Sequence, residues 1–223
     1  MVTLGLCPIP DISLKLSELP ISSLLKVKLG SDHDRATLGR IAELDARPIF
    51  LDANQGWDHV DQALEAIAVL GPDRIVGMEQ PFGKEQWDLH KDLGARTKIP
   101  IYADESIQGL NDLEHAQGVF SGVNLKLMKC GGLDVAKAMV ERAKLLGLQV
   151  MLGSMSESSL GCAAMYQLSG IADLLDLDGP WLISNDPFEG LVMEAGELHV
   201  RSSTGTGVEP AFPTLLNWTT IGA

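Results

Sequence analysis

Asp52, Glu79 and Asp104 each stand near the end of a short apolar run, in PIFLDAN (48–54), IVGMEQP (75–81) and IPIYADES (99–106). Charges in apolar runs are costly to bury unless paired, so acids in three equivalent places ask for a common explanation. Carboxylates converging on one point repel unless a cation stands between them. All-oxygen ligation from separate segments suits Mg²⁺, with water or substrate completing the octahedron. Two other readings stay open: each acid could cap the helix that follows it, or pair with a lysine.

Lysines supply the second kind of chemistry. Lys26 and Lys28, in LLKVKLG (24–30), are two apart and share one face of an extended segment. Side by side near a metal, each lowers the other's pKa. A lysine, ordinarily near about 10.4, is then neutral often enough to act as a base. Lys126, in GVNLKLMK (122–129), lies four runs further along the chain. Two amines facing each other across a bound carboxylate can take a proton from one face of a carbon and return one to the other. Lys26 also has a plainer reading as a partner for the acids. Lys129 has an odd offset from Lys126, which points it elsewhere. Asp176 and Asp178, in ADLLDLD (172–178), share a face. They could bind an ammonium group, cap a helix or pair with a lysine.

A scaffold must bring these distant segments together. Eight apolar runs recur at starts about 22 to 27 residues apart: VTLGLC (2–7), LLKVKLG, PIFLDAN, IVGMEQP, IPIYADES, GVNLKLMK, LQVMLGSM (148–155) and ADLLDLD. They are short and rich in Val, Ile and Leu, as buried parallel strands are. Amphipathic helical patterns lie between them at 32–46, 58–70 and 133–146. Strand–helix alternation over eight units predicts an α/β fold closed into a barrel, in which catalytic groups occupy the C-terminal ends of the strands. The first crossover holds Pro8, Pro10 and Pro20, so any helix there is short. After the eighth run, GLVMEAGELHV (190–200) reads as two short strands around Ala195-Gly196. Gly131-Gly132 suits a tight turn as well as a phosphate cradle, and SSTGTG (202–207) lacks a strand–loop–helix context. The tryptophans Trp57, Trp87, Trp181 and Trp218 read as packing residues.

Composition narrows the function classes. The net charge of −13 disfavours nucleic acid as a partner, which needs a basic surface. No run approaches the roughly 20 apolar residues that span a bilayer, and the N-terminus lacks the pattern of a secretory leader. Cys7, Cys130 and Cys162 are odd in number and fit no zinc or disulfide framework, which suggests a reducing, cytoplasmic setting. None of the histidines His33, His59, His90, His115 and His199 falls at a strand end, so a zinc site is not expected and each reads as a surface residue.

Taken in order, KVK (26–28), DANQGW (52–57), MEQP (78–81), ADES (103–106), NLKLMKCGG (124–132), GSMSES (153–158) and DLD (176–178) resemble the barrel motifs of the mandelate racemase/muconate lactonising branch of the enolase superfamily. KLMKCGG, GSMSES and DLD look most like the dipeptide epimerases. The resemblance implies a TIM-like (β/α)7β barrel over 1–185, followed by a C-terminal hairpin and tail over 186–223. It implies one Mg²⁺ on Asp52, Glu79 and Asp104, with Lys28 and Lys126 as the acid/base pair. Lys26, Ser154, Asp176 and Asp178 would bind substrate, the two aspartates holding the α-ammonium of a dipeptide. The activity implied is isomerisation by 1,1-proton transfer next to a carboxylate. Alternatives within the superfamily are an N-acylamino acid racemase, an o-succinylbenzoate synthase or a muconate cycloisomerase; outside them stands a non-catalytic truncated barrel. Members of this family begin with a capping domain. Met1 falls just before the first strand, so the expectation is a chain without that domain, its closing hairpin unpartnered, and with weak Mg²⁺ binding and turnover. Such barrels often assemble, which leaves a homo-oligomer open.

Overall fold

The computed structural model describes residues 1–211 except Ala195 and Ser203. Eight parallel strands run in sheet order β1 to β8: Val2–Leu4, Leu25–Lys28, Ile49–Asp52, Ile75–Glu79, Ile101–Ala103, Gly122–Lys126, Gln149–Gly153 and Leu174–Asp176. Each of the eight apolar runs supplies one strand. The seam between β8 and β1 is bridged by the Met1 amine, which donates to Leu175 O at 2.9 Å, and by Thr3 N, which donates to Asp178 Oδ2 at 2.7 Å.

Helices α1 to α8 are Ile12–Glu18, Asp34–Leu44, Val60–Leu70, Trp87–Arg96, Asp112–Ala116, Leu127–Cys130, Leu133–Leu145 and Ser159–Tyr166. As the prolines predict, α1 is short. The helices turn Leu38, Ile41, Ala63, Leu93, Met139 and Val140 onto the outer face of the sheet, where they join one continuous core. Trp57 is buried in that core with its Nε1 donating to Asp34 Oδ2 at 2.8 Å, whereas Trp181 is 38% exposed and Trp218 lies outside the described residues.

The barrel interior has a separate floor. Phe50, Tyr102 and Met151 are buried together, with Phe50 and Tyr102 in an edge-to-face pair at 5.3 Å. Gly77 and Gly122 make room for them. A Cβ on Gly77 would come within 2.5 Å of the Phe50 ring, and one on Gly122 within 2.5 Å of the Tyr102 ring. Registry places Phe50 beside Lys26 and Gly77, one inward row below Lys28, Asp52 and Glu79. Large apolar rings thus fill the bottom of the barrel, and the charged row begins directly above them.

After β8 the chain forms β9 (Phe188–Glu189), β10 (Leu191–Glu194), β11 (Glu197–Val200) and β12 (Glu209–Pro210). β10 and β11 pair antiparallel, as the sequence pattern predicts, although Ala195 itself is outside the described residues. Leu191 is buried in the main core, and Met193, Leu198 and Val200 pack against it.

Four of the histidines are exposed, but His90 is fully buried, contrary to the surface reading. It sits in α4 against Phe82 and Phe120, with Nδ1 2.9 Å from Gln86 O, to which it donates, and Nε2 facing the Phe82 amide and Gln80 Nε2. Burial pushes its pKa down to about 4, so the ring is neutral near pH 7. The unfolded chain, with an ordinary histidine, takes up a proton at higher pH than the fold does. This group therefore costs stability as pH falls through its unfolded pKa toward about 4. Comparing the wild type with His90→Gln in urea should isolate this effect. Between pH 7 and pH 4 the stability difference should move in the variant's favour by on the order of 3 kcal/mol; a pH-independent difference would show that His90 is not held neutral.

Candidate active site

The ionisable row lies at the C-terminal ends of the strands, and its acids are deeply buried. Asp52 and Glu79 are fully enclosed, and Asp104 is 3% exposed. Asp52 ends β3 in register with Lys28 on β2 and Glu79 on β4, and Asp104 follows β5 directly. Lys26, 2% exposed, sits at the centre of the acids. Its Nζ lies 2.9 Å from Asp52, 2.6 Å from Glu79 and 2.6 Å from Asp176. One ammonium thus ties β2 to β3, β4 and β8. Lys28 Nζ donates to Asp52 Oδ2 at 2.7 Å and Asn54 Oδ1 at 2.9 Å. Across the mouth, Lys126 Nζ donates to Asp104 Oδ2 at 2.6 Å.

Lys129 also reaches the site, against the expectation from its offset. The offset argument assumes an extended strand, but the strand ends at Lys126 and α6 begins at Leu127. Residues three apart on a helix share a face, so the turn carries Lys129 back toward Lys126. Its Nζ donates to Asp104 Oδ1, to Asp104 O at 2.7 Å and to Asn124 O at 3.1 Å. All three ammonium protons are used, and the ends of β5 and β6 are clamped together. Asn124, whose Nδ2 donates to Glu79 Oε1 at 2.6 Å, is another member that charge alone does not reveal. Gln80 is a third. It is fully buried with φ of 35°, and its Oε1 accepts from Asp104 N at 2.9 Å and Ser106 N at 3.1 Å. Positive φ at Asn54, Gln55 and Gln80, all just past strand ends of the acid row, marks backbone held under local strain.

The electrostatics follow from crowding. Burial pushes the Glu79 carboxyl up to about 8, with Asp52 and Asp104 adding to the rise and Lys26 opposing it. Burial also raises Asp52 and Asp104, but neighbouring lysines outweigh it and hold both below the usual carboxylate range. Lys26 responds in the sense opposite to the sequence expectation. Burial works to lower Lys26, yet Asp176, Asp52 and Glu79 lift it well above the ordinary value. Lys126 is likewise raised, by Asp104 and Glu79 against burial. In this state the acids, not the neighbouring amines, set the pKa values of Lys26 and Lys126.

The remaining expected residues line the same cleft of about 310 Å³. Ser154 Oγ donates to Asp176 O at 3.2 Å and accepts from Gly179 N at 3.1 Å. Asp176 Oδ1 is buried without a hydrogen-bond partner. Burial, helped by Asp176, pushes Asp178 up to about 6.

The donor set suits a hard divalent cation. The side chains of Asp52, Glu79 and Asp104 offer only oxygen, and the raised Glu79 pKa shows that they feel one another's charge. As placed, ammonium groups stand between them, and among the described residues no group of three His, Cys, Asp or Glu side chains is gathered tightly enough to hold an ion.

Comparison with known proteins agrees with this architecture. Residues 22–213 match the family described as enolase C-terminal domain-like. An L-Ala-D/L-Glu epimerase from Bacteroides thetaiotaomicron is 42% identical over 186 residues, covering 83% of this chain and 49% of that protein. An L-Ala-D/L-amino acid epimerase from Flavobacterium johnsoniae is 34% identical over 206 residues, covering 92% and 61%. This chain therefore spans from 49% to 61% of the length of these two relatives. The crystal structure of a dipeptide epimerase from Methylococcus capsulatus complexed with Mg ion superposes with a TM-score of 0.80 at 30% identity, over 92% of this chain and 63% of that one. With 192 residues inside the family match and the same eight-stranded parallel barrel, this chain belongs to the enolase C-terminal domain-like family.

Proposed function

We propose that this barrel is the catalytic domain of a Mg²⁺-dependent dipeptide epimerase, which moves a proton at the carbon next to a carboxylate. One observation carries the reading. Lys28 on β2 and Lys126 on β6 come from strands four apart, and of the three strands between them β3 and β4 end in Asp52 and Glu79 and β5 leads directly into Asp104. A substrate carboxylate held at those acids has one amine on each side of its adjacent carbon. The names of the relatives support the same chemistry, as do solved dipeptide epimerases complexed with Mg and dipeptide.

In this reading Asp52, Glu79 and Asp104 hold Mg²⁺. Bound there, the ion supplies positive charge that stabilises the substrate carboxylate as it takes up electron density from the adjacent carbon. One lysine, neutral, takes the α-proton onto Nζ. The other, as ammonium, gives a proton to the opposite face, and configuration inverts. Lys26 keeps the acids together and stands where it can contact the substrate carboxylate. Asp176 and Asp178 would hold the dipeptide's ammonium, and the unpartnered Asp176 Oδ1 suits that role. Ser154, bonded to Asp176 O, would shape the same end of the cleft.

The functional unit divides into the barrel, 1–185, and a hairpin and tail over 186–223. Exposed Met155, Trp181 and Leu182, on the loops after β7 and β8, suit a mouth that another domain covers. A cytoplasmic location fits the free thiols of Cys7, Cys130 and Cys162. No helix among the described residues is long and apolar enough to cross a membrane.

Exchange of α-hydrogen in D₂O across a panel of dipeptides tests the base assignment. If each lysine serves one face, Lys28→Ala should lose exchange from one epimer and keep it from the other, and Lys126→Ala should show the reverse. Each loss should be at least about 10²-fold, and exchange from both epimers in both variants would remove the lysines from the mechanism. A chelator should bring exchange to background, and added Mg²⁺ should restore it. Glu79→Gln should not recover under the same Mg²⁺ addition; full restoration in that variant would exclude Glu79 as a ligand.

A further inference from the structure

Gly153 is the last residue of β7, and its backbone does not need glycine's conformational freedom: its φ is not among the positive values. Glycine inside a strand weakens it by roughly 0.5–1 kcal/mol relative to alanine and often marks a close approach by another group. Here that group is Asn124. A Cβ on Gly153 would lie 2.2 Å from Asn124 Oδ1 and 2.8 Å from both Cγ and Nδ2. No main-chain atom is among the nearest contacts, so the glycine leaves room for the Asn124 amide and little else.

Asn124 makes little use of that room for its own hydrogen bonding. Its side chain is fully buried, and Oδ1 accepts nothing. A buried acceptor left unmade costs about 1–3 kcal/mol. The gain lies on the other atom, Nδ2, which donates to Glu79 Oε1 at 2.6 Å. Lys26 holds the second oxygen, Oε2, at 2.6 Å. Glu79 is thus gripped from two sides, by an ammonium on β2 and an amide on β6.

We infer that Asn124 is a positioning residue that aims the Glu79 carboxylate for metal binding, and that Gly153 is glycine to seat it. The inference rests on the reading of Glu79 as a Mg²⁺ ligand and adds to it a residue that touches neither metal nor substrate. Groups that orient a ligand from behind typically change metal affinity by 10–100-fold when removed.

Titration calorimetry with Mg²⁺ alone, and unfolding in chelator, test it on five variants of the full chain. Asn124→Leu keeps the volume and removes the donor. Gly153→Ala leaves Asn124 in place and pushes its amide aside. Each should weaken Mg²⁺ binding by about tenfold or more. In the double variant Asn124→Ala with Gly153→Ala, the new methyl enters the space the amide left. Stability should recover relative to Asn124→Ala alone, while affinity stays weak. A structural role alone would move stability and leave affinity at the wild-type value, and that result overturns the inference. If Asn124→Leu does not fold, Gly153→Ala and the double variant decide by the same criterion. Glu79→Gln separates the two levels: it should abolish binding. Loss there with wild-type affinity in the Asn124 and Gly153 variants refutes only the positioning role. Unchanged binding in Glu79→Gln, or none in the wild type, refutes the ligand reading and this inference with it.

Discussion

Everything at the mouth of this barrel depends on the burial of Lys26. An ammonium 2% exposed is tolerable only because Asp52, Glu79 and Asp176 surround it at 2.6–2.9 Å. Removing one member of a buried charge cluster typically costs about 3–5 kcal/mol, because the partner is left uncompensated. The three acids belong to β3, β4 and β8, so a single side chain on β2 fixes the relative positions of four strands. A well-packed apolar substitute for the cluster could be as stable. Its persistence is therefore better explained by what the acids do than by the stability they add.

The floor sets how deep that cluster sits. Phe50 occupies the inward row below Asp52 and Glu79, Tyr102 packs on its ring, and Gly77 and Gly122 give way to them. Alternating large rings with glycine across neighbouring strands fills a tapered interior without strain. Apolar rings thereby close off the space beneath the charged row, and the acids are held by lysines, by Asn124 and by the Asn54 amide, and open to whatever enters from the mouth. Enclosure of that kind is why burial dominates the pKa behaviour of Glu79.

The strands and the acid row were legible in the sequence for one reason. Apolar β runs ending in a charge are rare unless the charge faces a site, and the eightfold spacing gave the runs a common geometry. What stayed hidden depended on where a strand stops or on neutral groups. Lys129 was misplaced because one residue decides whether the chain after Lys126 continues as strand or turns into α6, and apolar pattern does not resolve a boundary that finely. The burial of His90 is hidden because a lone histidine on an amphipathic helix carries no mark of its partners, here Gln86 O and the Phe82 amide. Asn124 shares the inward face with Lys126, yet its role depends on Gly153, a contact between strands that no local pattern records.

The raised lysine pKa values bear on how such a site becomes active. Lys126 holds its proton more tightly than an ordinary lysine because Asp104 and Glu79 outweigh its burial. In the proposed role Lys126 must be neutral, and the acids near it work against that. Asp104 and Glu79 are also two of the proposed cation ligands. On the proposed reading, a divalent ion shared by these acids with Asp52 would offset the charge that holds the proton on Lys126, while burial, which favours the neutral amine, would remain. Ion binding and the base role of Lys126 would then be coupled through the acids that surround the amine.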